Sequence, residues 1–253
     1  LGFATGLSQI DHLIGGLQRK AMVVIGAQTG VGKSAMAVNM AAGALRDSAS
    51  VLVLSHEMST DDVYTRLLGL TSKVEAFKFQ TGALDHTQYE KIILATDKIG
   101  KQSIWVTDNP PRTIPKTINT CLQHKRRHGL DIVFVDYLQL MESTQRSGNR
   151  EQAVAEIARG LKQLAMDLDV CVVALAQLNN NTERHEEPQL SSLRESAAIA
   201  QNANSVILLW SKDDDAKEIS FKVAKNRSGP HGQGSMDFLK TYQIIRESHG
   251  HQL

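Results

Sequence analysis

The stretch Val24–Ala35, V-I-G-A-Q-T-G-V-G-K-S-A, constrains this chain more than any other. An apolar run, Met22 to Ile25, enters a glycine-rich turn, and Lys33 and Ser34 then open an amphipathic helix. Strand, loop and helix in that order make a phosphate-binding P-loop. Gly30 and Gly32 free the backbone to point successive N–H groups at one anion. The helix that follows aims its positive dipole end at the same point. Lys33 adds a charge for the outer phosphates and Ser34 a hydroxyl for Mg²⁺. The expected nucleotide-binding set is Ala27, Gln28, Thr29, Gly30, Val31, Gly32, Lys33, Ser34 and a later carboxylate, Asp136. One departure shows: the first glycine of the pattern falls on Ala27, with Gly26 just before it.

At 253 residues, 42% hydrophobic and 22% charged, the chain has the size and composition of one α/β domain with a sizeable core. A net charge of +1 leaves any nucleic-acid contact to local basic patches rather than a global field. Cys121 and Cys171 lack metal spacing, and Cys171 lies in an apolar run where a buried reduced thiol is expected, which suits a reducing cytoplasm. No apolar stretch approaches membrane length and no signal peptide is visible. The sequence begins with Leu1 rather than Met and so reads as a segment of a longer protein.

Short apolar strands alternate with helical patterns along the chain. Thr5 to Leu17 reads as a short helix with Ser8 and Asp11 at its start, closed by Gly15-Gly16. Helices are expected over Lys33–Arg46, from Ser59-Thr60 onward, and over Asp85–Ile99, Ile114–His128 and Glu151–Leu168. Buried strands are expected at Val51–Leu54, Ile104–Val106, Ile132–Val135 and Val170–Leu175. Ser143–Arg150 and Asn179–Pro188 read as polar loops. Val206–Trp210 and Ile219–Val223 flank an acidic turn as a hairpin, followed by short strands and a polar tail. The pattern implies a mainly parallel twisted sheet flanked by helices, with ligands at the carboxyl ends of the strands.

Those ends carry Gly26 to Ser34, Glu57, Asp136 and Gln177. Asp136 closes an apolar strand, as the Mg²⁺-holding carboxylate opposite a P-loop does. Because Tyr137, not an acid, follows it, the base that activates water must come from elsewhere, and Glu57 is the candidate. Gln177 could report the γ-phosphate through its amide, which can both donate and accept. Lys225 and Arg227, in K-N-R-S-G, are ordinary surface by default, but in an oligomeric ATPase such a tip can reach a neighbour's nucleotide. Arg194, Glu195, Arg146 and Arg150 are candidates for nucleic-acid contact, although composition alone reads them as a solvated face. His124 and His128 share a helical face and read as a solvated pair rather than a metal site.

The motifs T-G-L-S-Q-I-D, G-A-Q-T-G-V-G-K-S, S-H-E-M-S, V-D-Y-L-Q-L-M, A-L-A-Q-L-N, L-R-E-S-A-A-I-A-Q-N-A and A-K-N-R-S-G-P-H-G occur in this order from Thr5 to about Tyr242. The set resembles the helicase domain of DnaB-type replicative DNA helicases. The resemblance implies a RecA-like P-loop ATPase core with a C-terminal β-hairpin. It further implies a homohexameric ring, ATP with Mg²⁺ between subunits, single-stranded DNA through the centre, and a cytoplasmic place in a bacterial or phage-infected cell. By motif match, Lys33, Ser34 and Asp136 hold phosphates and Mg²⁺, Glu57 is the catalytic base, and Gln177 senses the γ-phosphate. Lys225 and Arg227 act in trans, and Arg194, Glu195 and Ala197 fall where the family contacts the DNA backbone. Residues 1–253 read as this domain alone, so the family's primase contacts, made by its N-terminal domain, are not carried over; a helicase loader is a further partner the family implies. His56 stands where the family usually has Leu, Ala197 where it has Gly, and Asn180 where Arg is common. A RecA-like recombinase and a non-unwinding clamp or loader are the competing readings.

Overall fold

The strands order themselves around β1, Met22–Ala27, whose six residues are all buried. In the computed structural model, which describes residues 1–143, 150–178, 185–193, 197–213 and 215–248, a short helix α1 (Ser8–Ile14) precedes it and α2 (Lys33–Arg46) follows the P-loop. Next come β2 (Val51–Ser55), α3 (Thr60–Ser72), α4 (Ala76–Thr81), α5 (His86–Gly100), β3 (Ile104–Thr107), α6 (Ile114–His128) and β4 (Ile132–Asp136). The chain continues through α7 (Arg150–Asp167), β5 (Cys171–Gln177), α8 (Ala197–Asn202), β6 (Ser205–Trp210), β7 (Glu218–Asn226), β8 (Gly232–Leu239) and β9 (Ile244–Glu247).

Among the described residues nine strands form one sheet in the order β3-β2-β4-β5-β1-β6-β7-β8-β9. From β3 to β6 every pairing is parallel; from β6 to β9 every pairing is antiparallel. The late hairpin expected from the sequence is therefore the start of a longer antiparallel meander, and β8 runs for eight residues.

Side-chain alternation sorts the core into two layers. Val23, Ile25, Val51, Val53, Ile132 and Phe134 face the layer holding Met36 and Met40 of α2 and Leu67 of α3. Their neighbours Val24, Leu52, Leu54, Val133 and Val135 face Cys121 of α6 and Val154, Ile157 and Leu161 of α7. Helices on both faces explain why the parallel strands read as unbroken apolar runs. Both thiols are free and buried, and burial pushes each up to about 12, so neither is a reactive thiolate.

Local chemistry sets the helix entries. Ser59 and Asp62 make a reciprocal capping box on α3, and Asp85 and Gln88 make one on α5. At α1 the expected start is corrected: the N-cap is Leu7, with no side-chain cap, and Ser8 is the first helical residue. Asp11 instead accepts the Thr5 N–H at 2.9 and 3.1 Å, bracing the turn that enters the helix. Gly43 lets that turn lie against α2, because a Cβ there would sit 1.9 Å from the Thr5 carbonyl oxygen. The loop expected over Ser143–Arg150 ends one residue early, since Arg150 already opens α7; residues 144–149 and 179–184 lie outside the described residues.

Candidate functional site

The parallel register carries the carboxyl ends of β1, β2, β4 and β5 to one edge. There a cleft of about 330 Å³ brings together Gln28, Thr29, Gly30, Gly32, Lys33 and Ser34 of the P-loop. Glu57, from the turn after β2, and Gln177, the last residue of β5, line the same cleft. Ala27 and Val31 are placed differently. Ala27 is buried in β1 and Val31 packs on the core, so neither side chain faces the cleft. Gly30 (φ +86°) and Gly32 (φ +113°) both occupy the left-handed region. At Gly32 space is also short, because a Cβ would come within 2.9 Å of Ile219 and 3.1 Å of Phe238.

Lys33 is desolvated, and burial lowers its pKa, opposed by the charges of Asp136 and Glu57. Its ammonium lies 4.4 Å from the centre of the Tyr137 ring, whose face supports a cation. Beneath it the Ser34 hydroxyl donates to Asp136 Oδ2 at 2.9 Å. Asp136 is 6% exposed, and its other oxygen, Oδ1, is buried with no hydrogen-bond partner among the described residues. A buried carboxylate oxygen left unpaired costs several kcal/mol, on the order of what a neighbouring cation recovers. A hydroxyl and a carboxylate form the hard oxygen set that Mg²⁺ takes with few protein ligands. The residues thus fit the metal. Among the described residues no cluster of three or more His, Cys, Asp or Glu side chains could hold a different one.

The exposed carboxylate of Glu57 stands across the cleft from Lys33 and Ser34, free of any described ion pair. Gln177 donates its side-chain amide to Thr29 Oγ1 at 2.9 Å, which ties β5 to the P-loop. Arg66 of α3 also lines the cleft. It is half-buried and makes no hydrogen bond or ion pair among the described residues, and burial lowers its pKa against the pull of Asp136, Asp62 and Glu57. A desolvated cation without a partner belongs beside an anionic ligand. Sequence reading missed Arg66, because helical spacing gives an arginine nine residues after Glu57 no special mark. It also missed Phe238, Lys240 and Gln243, which reach the cleft from the antiparallel end of the sheet.

Lys225 and Arg227 lie far from this cleft. Antiparallel pairing sets Asn226 beside Ser205, at the start of β6, whereas Ala27 pairs with Leu209 near its end. Four residues of strand, roughly 13 Å, separate the two ends. Lys225 donates to the carbonyls of Ala200 and Gln201 at 2.5 and 3.1 Å, and Arg227 to Gln201 at 2.6 Å, at the C-terminal end of α8. Neither can serve the cleft of its own chain. Arg150 donates to the Gln139 carbonyl, and Ala197 opens α8; Arg146, Arg194, Glu195 and Asn180 lie outside the described residues. His124 and His128 are not simply solvated: their rings pack against Trp105 at 4.6 and 4.9 Å between centroids, and burial, then His128, lowers the pKa of His124.

A family model described as the DnaB-like helicase C terminal domain matches residues 2–247. The chain belongs to that family. The DnaB-like chain is 34% identical over 251 residues to the replicative DNA helicase DnaC of Bacillus subtilis (strain 168), covering 95% of this chain and 55% of that protein. It is also 34% identical to the replicative DNA helicase DnaB of Geobacillus stearothermophilus, with the same coverage. It spans about half the length of these curated relatives. Among solved structures, one described as an ATPase domain superposes with a TM-score of 0.92 at 28% identity, covering 98% of this chain and 92% of that one. A DnaB-like replicative helicase, described with its primase interactions, gives 0.91 at 29%, covering 98% and 62%. These comparisons bear out the family and the RecA-like fold read from the motifs, and favour neither the recombinase nor the clamp. Among the described residues no helix is long and apolar enough to cross a membrane.

Proposed function

We propose that this DnaB-like domain is the ATP-driven motor of a replicative DNA helicase that moves along single-stranded DNA, 5′ to 3′, and separates duplex. The observation that carries the reading is the convergence of Lys33, Ser34, Glu57 and Gln177 on one cleft above the half-paired carboxylate of Asp136. The backbone N–H groups from Gln28 to Lys33, with the α2 dipole, bind the phosphates, and Lys33 adds its charge. Ser34 and Asp136 would hold Mg²⁺, which supplies charge neutralisation on the outer phosphate oxygens. Glu57 orients the attacking water and takes its proton at the carboxylate. Gln177 trades its bond to Thr29 for the γ-phosphate, so that β5 reads the nucleotide state.

Lys33, Arg66 and Lys240 of the same chain already line the cleft, and in this reading a further cation meets the charge building on the transferred phosphoryl group. We assign that part to Arg227, with Lys225, from the adjacent subunit of a homohexameric ring. Their place at the opposite end of the sheet supports a role in trans, and engagement requires release of the α8 carbonyls they now bind. Arg150, with Arg146, Arg194 and Glu195, is assigned to the DNA backbone, with Ala197 at the same segment. The domain extends over 1–253 as one unit, and a helicase loader is a further partner; primase is not assigned to it.

The test is ATP-dependent displacement of a strand from a forked duplex, with a single-stranded tail on either strand. Displacement only with a 5′ tail, and ATP turnover that single-stranded DNA stimulates less as salt rises, is the expected result. Turnover indifferent to DNA, with no displacement from either fork, would overturn the motor.

A further inference from the structure

Gln139 lies outside every role assigned so far, yet its side chain makes two hydrogen bonds with the end of β5. The β4–β5 ladder runs from Ile132 beside Cys171 to Val135 beside Ala174, and β4 then ends at Asp136. β5 continues for three more residues to Gln177, with β1 on its other flank pairing through Ala27. On the vacated flank the chain has turned into a short 3-10 helix, Leu138–Leu140. From it the Gln139 side chain takes the place of the missing strand. Its Oε1 accepts the Gln177 backbone N–H at 3.2 Å, and its Nε2 donates to the Gln177 carbonyl at 3.0 Å.

In a parallel ladder one residue turns both its N–H and its C=O to the same neighbour, and a primary amide offers the matching acceptor and donor in one plane. The clamp therefore fixes the peptide planes on both sides of Gln177, and so the direction in which its side chain leaves the strand, toward Thr29. The backbone carbonyl of Gln139 in turn accepts from Arg150, the first residue of α7. One half-buried residue thus joins the turn after β4, the end of β5 and the head of α7.

We propose that Gln139 is a positioning residue for Gln177: it sets the sensor's orientation toward the γ-phosphate without touching nucleotide itself. The inference rests on the reading above that Gln177 faces the γ-phosphate. The alternative is that Gln139 only fills space, and two substitutions separate them. Gln139→Glu keeps the volume but turns an oxygen toward the Gln177 carbonyl; Gln139→Ala removes both bonds.

The experiment is a double-mutant cycle on ATP turnover without DNA, using Gln139→Ala, Gln139→Glu, Gln177→Ala and Gln139→Ala/Gln177→Ala, with ATP affinity measured separately. Loss of both hydrogen bonds in Gln139→Ala, and loss of the donor with carboxylate–carbonyl repulsion in Gln139→Glu, each predict about a tenfold fall in kcat. ATP affinity is expected to stay within about threefold, because only the transition state needs the orientation. In the Gln177→Ala background, Gln139→Ala should cost nothing further. Wild-type kcat in Gln139→Glu, or a full additive loss in the double variant, overturns the positioning role. A wild-type protein that turns over no ATP sinks the proposed function and this inference with it, whereas normal wild-type turnover with unaffected Gln139 variants sinks the inference alone.

Discussion

The parallel and antiparallel halves of the single sheet are built on different rules. From β3 to β6 the strands have helices on both faces, and β1, β2 and β4 are buried at every residue. In β7 buried residues alternate with half-exposed ones, so one face packs on the core and the other meets water. The parallel half ends all its strands on one edge, which is what gathers a P-loop, an acid and an amide at one cleft, with the Asp136 carboxylate against Ser34. The antiparallel half reverses direction at each strand. It therefore offers one end, with Phe238, Lys240 and Gln243, to the cleft, and sets the opposite end, with Lys225 and Arg227, away from it. A parallel sheet builds a pocket; an antiparallel extension brings only one of its ends to that pocket.

Two substitutions, one in each half, carry the largest expected effects and separate these jobs. Lys33→Ala should lower ATP turnover by about a thousandfold and weaken nucleotide binding as well. Arg227→Ala should lower turnover by a similar factor, about a thousandfold, while nucleotide affinity measured by calorimetry stays near wild type. Loss of binding in both would erase the distinction. Gly32→Ala strikes the seam where the P-loop meets β7 and β8. Its positive φ and the contacts to Ile219 and Phe238 predict a stability loss of about 1–3 kcal/mol, read from denaturant unfolding. Ser59→Ala acts within the parallel half alone: loss of the α3 capping box should cost about 1 kcal/mol of stability. A loss at Ser59 as large as that at Gly32 would mean the seam carries no special constraint.

The parallel half was legible because burial on two faces writes itself as apolar runs, and the helices Lys33–Arg46 and Ile114–His128 were bounded to the residue by their flanking signals. α4 left no such trace: none of its six residues is buried, and Phe77 is exposed, so no periodicity forms. The position of Ser8 misled because a serine at a helix start is a frequent cap, but here the Asp11 carboxylate turns back to Thr5. Glu57, Asp136 and Gln177 could be picked out because each follows an apolar strand. Arg66 and Gln139 could not, because their significance depends on what a helix or a turn brings them against. Likewise, that Lys225 and Arg227 sit at the far end of the sheet follows only from the register of β6 against β7.

That the active site is completed between subunits is the claim on which the account depends. The direct measurement is ATP turnover of rings assembled from wild-type and Arg227→Ala protein at graded ratios and constant total concentration. If each cleft is finished by a neighbour within a coordinated ring, activity should fall well below the wild-type fraction, with the variant poisoning its partners. Activity that falls in strict proportion to the wild-type fraction would contradict a coordinated ring of shared clefts.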